Sequence, residues 1–247
     1  MKKQFSWQIF LAIMLVVLSV FFYTIHFLIF RDAHHIFIYL IGDVAFVFLE
    51  VLLVTLVIHQ LLGYREKKSM FNKLNMVIGV FFSEVGTELL KTFAAFDKKA
   101  AKITKRLVVT NDWSEKDFSK MYKDVKGHNC NIDVSRGELE EIKKTLKGKR
   151  NFLLNLLENP NLFEHESFTD LLWAVFHLTE ELVYRKSLQG LSKADYEHLA
   201  LDMERSYILL ITEWLDYMGH LKSSYPYLFS LSMRTNPFDV NASVEIE

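Results

Sequence analysis

Two long apolar stretches open this chain and constrain it more than anything that follows. Trp7 to Phe30 is about 24 residues without a charge, and Ile36 to Leu62 is about 27 with two. A helix crossing a bilayer needs roughly 20 apolar residues, so each stretch is long enough to span with some tilt. Only Arg31-Asp32-Ala33-His34-His35 lies between them, and so short a connection joins antiparallel neighbours. The first stretch exceeds the core of a signal peptide, roughly 7–15 residues, and no small-x-small cleavage site follows it. The expected fold is therefore all-α: a transmembrane hairpin over 1–62, with spans at about 7–30 and 36–62, followed by a cytoplasmic α-helical bundle.

Flanking cations set the expected orientation. Lys2 and Lys3 precede the first span, and Arg65, Lys67, Lys68 and Lys73 follow the second, whereas the connection has one Arg beside Asp32. Cationic flanks stay on the cytoplasmic side, which puts both termini inside and the short loop outside a cell inner (plasma) membrane. His34 and His35 then face outward as loop histidines. Residues 63–107 carry ten Lys/Arg against four Asp/Glu, and residues 108–247 carry sixteen against twenty-three. A basic segment beside an acidic domain suits an anionic lipid surface, where each cation gains about 1 kcal/mol. The lipid bilayer is thus an expected partner. Nucleic acid is not, because no aromatic-interleaved basic motif accompanies the charges.

Polar groups inside the spans need a reason, since a charge at a span's centre costs at least about 2.5–3.5 kcal/mol. Asp43 and Glu50 are seven residues apart and share a helical face. Ser19, Tyr23 and His26 share a face of the first span. Folding the hairpin about residue 33 brings Tyr23 and His26 level with Asp43, and Ser19 level with Glu50. The pattern predicts an intramembrane polar seam that either glues helices together or lines an oligomeric ion or proton conduit. A pore-loop channel does not fit a five-residue connection without a filter motif.

Beyond the spans, nine glycines and three prolines in 247 residues leave room for long helices. One cysteine, Cys130, excludes an internal disulfide. Residues 65–96 are expected as a helix, with Asn75, Gly79, Ser83 and Gly86 forming a small-residue stripe for close packing, and a basic helical extension follows to Arg106. Ser114 with Asp117 predicts a capped helix to about Lys126. Ser135 with Glu138 predicts a second, to about Glu158. Helices from Glu166 to about Ser187 and from a Ser192 cap to about His220 follow. Pro226 opens a last short helix before Asn236-Pro237. The cytoplasmic domain is placed at 63–235 and a flexible tail at 236–247.

No catalytic signature is present: the chain has no phosphate loop, CxxC, HExxH or GxSxG. No catalytic residue and no cofactor is therefore expected. His177 and Glu181 on one helix, with Asp195 and His198 on the next, are the metal-ligand candidates, because imidazoles and carboxylates at helical spacing are what a bundle metal site requires. The Glu-x-x-His pair of di-iron bundles is missing. His128 and Cys130 sit in a polar loop as a free thiol beside a histidine.

The segments Glu50-Val-Leu-Leu-Val-Thr-Leu-Val-Ile-His59 and Leu74-Asn-Met-Val-Ile-Gly-Val-Phe-Phe-Ser-Glu-Val-Gly-Thr-Glu-Leu-Leu90 resemble segments of uncharacterised prokaryotic two-span membrane proteins, over roughly residues 40–95. That resemblance implies a prokaryotic inner membrane and carries no activity with it. The expected function is a membrane-anchored, non-enzymatic helical module for protein–protein interaction or self-association in signalling or scaffolding. The alternatives are an oligomeric conduit lined by Asp43 and Glu50, and a membrane-bound metalloenzyme.

Overall fold

A computed structural model describes residues 2–136, 138–160, 162 and 165–245. The side chains of Lys2, Lys3, Lys67 and Lys68, used above for orientation, lie outside the described residues, as do Ile246 and Glu247 of the expected tail. The described residues form helices joined by turns and irregular loops, with one isolated bridge, Asp97 to Ile132. The chain divides into two compact units, 1–67 and 68–247.

Unit 1 contains α1 (Lys2–Phe30) and the first part of α2 (Ala33–Phe81), joined at Arg31 and Asp32. Arg31 makes the turn in the left-handed region, at φ 49°. The Asp32 carboxylate then accepts the N–H groups of His34 and His35, at 2.9 and 3.2 Å, and caps α2. Both helices are long and apolar enough to cross a membrane, with a mean hydropathy of 2.5 in each, and none of either apolar window is buried in the protein. A helix apolar on every side has no polar face to give to water.

Unit 2 has a closed core. The end of α2 runs into a π-helical turn, Phe82–Gly86, and then α3 (Thr87–Phe96). The wider turn explains how the adjacent pairs Phe81-Phe82, Val85-Gly86 and Leu89-Leu90 are all buried on one continuous helical path. α4 (Ala100–Thr104), α5 (Glu115–Lys126), α6 (Leu139–Leu157), α7 (Glu166–Tyr184), α8 (Lys193–Ser224) and α9 (Pro226–Arg234) follow. α8 is the axis of the unit. It packs against α3, α5, α7 and α9, and buries Leu199, Met203, Tyr207, Leu210, Ile211 and Trp214.

Local signals explain most boundaries. Asp117 reaches back to the Ser114 N–H at 2.8 Å and opens α5. Ser192 accepts the Asp195 N–H at 3.1 Å and opens α8. α6 departs from expectation, starting at Leu139 behind a Glu138 cap. Ser135 is diverted, because its N–H and hydroxyl both donate to Asp133, at 3.0 and 2.6 Å. The expected basic extension after Phe96 is also interrupted, since Asp97 is extended and ends α3.

The small-residue stripe is taken up within unit 2. A Cβ on Gly79 would stand 2.7 Å from the Tyr217 hydroxyl, and one on Gly86 would stand 2.5 Å from the Phe82 ring. Tyr217 in turn stacks on Phe82 at 5.6 Å between centroids. Asn75 bonds back to the Phe71 carbonyl, and Ser83 stays exposed. The segment after α9 is tied down at its start. Asn236 is fully buried, donates to the Leu107 carbonyl at 3.0 Å and accepts the Phe238 N–H at 2.9 Å. Phe238 packs edge-on against Trp214.

Candidate functional site

α7 and α8 pack along one another and bring two one-turn pairs face to face. His177 and Glu181 come from α7, and His198 and Asp202 from α8. The Nε2 atoms of His177 and His198 both lie 3.3 Å from Asp202 Oδ2. Glu181 Oε2 is 3.6 Å from His198 Nε2. The imidazoles are half exposed, at 48% and 49%, whereas the Asp202 side chain is only 4% exposed. Asp202 Oδ2 is shielded from solvent and makes no hydrogen bond.

Two arginines flank the cluster. Arg185 bonds the Glu181 carboxylate and reaches Asp195 at 3.4 Å. The Arg185 hydrogen bond holds the Glu181 carboxyl below the usual range. Arg205 stands 3.8 Å from the other oxygen of Asp202. Of the four residues nominated from spacing, the structure gathers His177, His198 and Glu181. Asp195 instead closes the α8 cap with Ser192, and Asp202 occupies the place expected for it. The signal for Asp202 was its position one turn after His198.

A second cluster joins Asp97, His128 and Cys130. Its groups are already satisfied. Asp97 Oδ1 accepts the N–H groups of Lys99 and Asn131 at 2.9 and 3.0 Å, and Oδ2 lies 3.1 Å from His128 Nε2. Burial raises the Asp97 carboxyl, and the Asn131, Lys99 and His128 bonds outweigh it to leave a net lowering. Cys130, expected in an open polar loop, is buried, and burial pushes its thiol up to about 12. Asp97 thus staples the end of α3 to the 128–133 loop, which the Lys98 N–H to Asn131 carbonyl bond continues.

A third group lies near the start of α7. Glu213 is buried, takes the Ser167 hydroxyl at 2.9 Å and faces His165 Nε2 at 3.8 Å. Burial pushes its carboxyl up to about 7, against the lowering by Ser167. Burial also lowers His165, whose Nδ1 accepts the Phe168 N–H and caps α7.

In unit 1, Asp43, Glu50, Ser19 and Tyr23 are exposed, and no hydrogen bond links Asp43 or Glu50 to another side chain among the described residues. His26 lies against His35 near the turn, with ring centroids 5.9 Å apart.

Two family profiles cover nearly the whole chain. The one described as "MJ1433, N-terminal helical domain" matches residues 2–62, and the one described as "Uncharacterized protein MJ1433, C-terminal helical domain" matches residues 70–234. The chain is 47% identical over 241 residues to the "Uncharacterized protein MJ1433" of Methanocaldococcus jannaschii, covering 98% of this chain and 96% of that one. No solved structure matches.

Proposed function

The chain belongs to the MJ1433 family, and we propose that it is a membrane-anchored, non-enzymatic helical module. In this reading unit 1 crosses the inner (plasma) membrane twice with both termini in the cytoplasm. Unit 2 associates with a protein partner or with a second copy. One observation carries the proposal: unit 2 closes a core of its own, whereas α1 and the first part of α2 keep their apolar residues on the outside. Apolar surface in water is unfavourable by roughly 25 cal/mol per Å², and contiguous exposed apolar surface on this scale belongs in lipid or in an interface. Support for association comes from a groove of about 680 Å³ between α5 and α8, where Trp113, Phe118 and Tyr122 meet Asp216 and Lys222. Exposed Trp173 and Tyr184 on α7 add apolar contact surface.

The full chain in mild detergent is expected to form a discrete oligomer, measured by light scattering with the bound detergent counted separately. A strict monomer at all concentrations would exclude self-association and leave a partner as the associating species.

A second reading rests on Asp43 and Glu50, which lie on one face of α2 with no partner among the described residues. Several hairpins around that face would form a proton or cation path. Glu50→Gln would then alter flux through liposomes, and wild-type protein that carries no flux would exclude a conduit.

A further inference from the structure

The histidine–carboxylate cluster between α7 and α8 has the dimensions of a metal site. Bonds of about 2.0–2.1 Å from a tetrahedral ion to imidazole nitrogen and carboxylate oxygen place neighbouring donor atoms about 3.3 Å apart. Both histidine nitrogens stand 3.3 Å from Asp202 Oδ2, and Glu181 Oε2 stands 3.6 Å from His198 Nε2. The His177, His198 and Asp202 donor atoms all fall within 4.8 Å of one another.

Two imidazoles converging on one carboxylate oxygen would ordinarily hydrogen-bond to it. Here neither does, and the shielded Asp202 oxygen is left without a hydrogen bond. A buried carboxylate oxygen without a partner is costly, and a cation among the donors removes that cost. Neutral imidazole offers one nitrogen lone pair, and both Nε2 atoms stand beside the same carboxylate oxygen.

We propose that His177, His198 and Asp202 bind one divalent ion of the zinc class, with water in the fourth position. Two nitrogens and one carboxylate oxygen suit zinc and its neighbours better than calcium or magnesium, which take oxygen ligands. The half-exposed histidines leave the ion a way in. Arg205, 3.8 Å from the other Asp202 oxygen, acts as an outer partner of that ligand, and Arg185 holds Glu181 at the margin of the site. The ion ties α7 to α8 across their crossing, so it stabilises unit 2 whatever the lipid surroundings, and the site does not depend on the anchor reading.

The test uses the full chain in detergent, stripped with a chelator and titrated with Co²⁺ alone. The expected result is one ion per chain with the intense visible absorption of tetrahedral cobalt, displaced by Zn²⁺. His177→Ala and His198→Ala remove half-exposed side chains, so both variants should keep the wild-type helical circular dichroism. Each should weaken binding by more than about 100-fold, beyond the 10–100-fold lost with an outer partner. Arg205→Gln should fall inside that smaller range. The thermal midpoint should rise on adding Co²⁺ to wild type and stay fixed in His177→Ala. Absence of equimolar binding, or binding unchanged in folded His177→Ala and His198→Ala, would overturn the proposal. A thiolate-to-cobalt charge-transfer band would do so too, because it places the ion at Cys130.

Discussion

Glu213 gives the sharpest prediction about unit 2. Its carboxyl lies on α8, buried, with the Ser167 hydroxyl at 2.9 Å and His165 Nε2 at 3.8 Å. Burial lifts it from an ordinary value of 4.5 to about 7, and the charge of Asp216 adds to the rise. The folded protein therefore holds a proton there that the unfolded chain releases above pH 4.5. The stabilisation is complete below pH 4.5 and is lost as pH rises through 7. The span between those two values corresponds to about 3 kcal/mol, at 1.36 kcal/mol per pH unit. His165 works the other way, because burial lowers it and its contribution is lost as pH falls through the usual histidine range. Glu213→Gln keeps the shape and the Ser167 partner but does not titrate. Unfolding of the full chain in detergent, followed by circular dichroism from pH 4.5 to 8, isolates the effect as wild type minus variant. The wild-type midpoint should fall relative to Glu213→Gln by roughly 6–12 °C across that range, using about 2–4 °C per kcal/mol for a domain of this size. Parallel profiles for the two proteins would refute the assignment of a buried, protonated Glu213.

Three further substitutions test the packing. Asp97→Ala removes the acceptor of two backbone N–H groups and the partner of His128, and should lower the unfolding free energy by about 3 kcal/mol in a urea titration. Asn236→Ala should cost about 2 kcal/mol by stranding the Leu107 carbonyl and the Phe238 N–H, read from the same titration. Gly86→Ala would gain about 1 kcal/mol in an open helix, but here its Cβ meets the Phe82 and Phe81 rings at 2.5 and 2.9 Å. A net loss of about 1 kcal/mol is expected, and a gain would show that those rings move aside freely.

The helical class was legible because its signals are local. The two long apolar stretches, the Ser114 and Ser192 caps and Pro226 each fix an element through residues close in the chain. What was not legible depends on partners far along the chain. Asp97 looks like one more charge in a basic stretch. Its role appears only when the 128–133 loop, more than 30 residues later, delivers the Asn131 N–H and His128. The same loop carries Cys130 into the core, which its polar neighbours conceal. Ser135 carries the capping spacing with Glu138, but Asp133 competes for it from two residues away. The π turn leaves one trace, the doubled apolar pairs from Phe81 to Leu90. At the candidate metal site the helix faces were readable but the choice of carboxylate was not. Asp195 and Asp202 both lie one turn from His198, and the Ser192 cap decides between them by engaging Asp195.

Placing unit 1 in a bilayer is the central claim, and alkaline extraction tests it most directly. Membranes from cells expressing the full chain are washed with carbonate at high pH and floated on a density gradient. A chain held by two spanning helices stays with the lipid and floats. Release of the full chain into the alkaline supernatant would contradict the account.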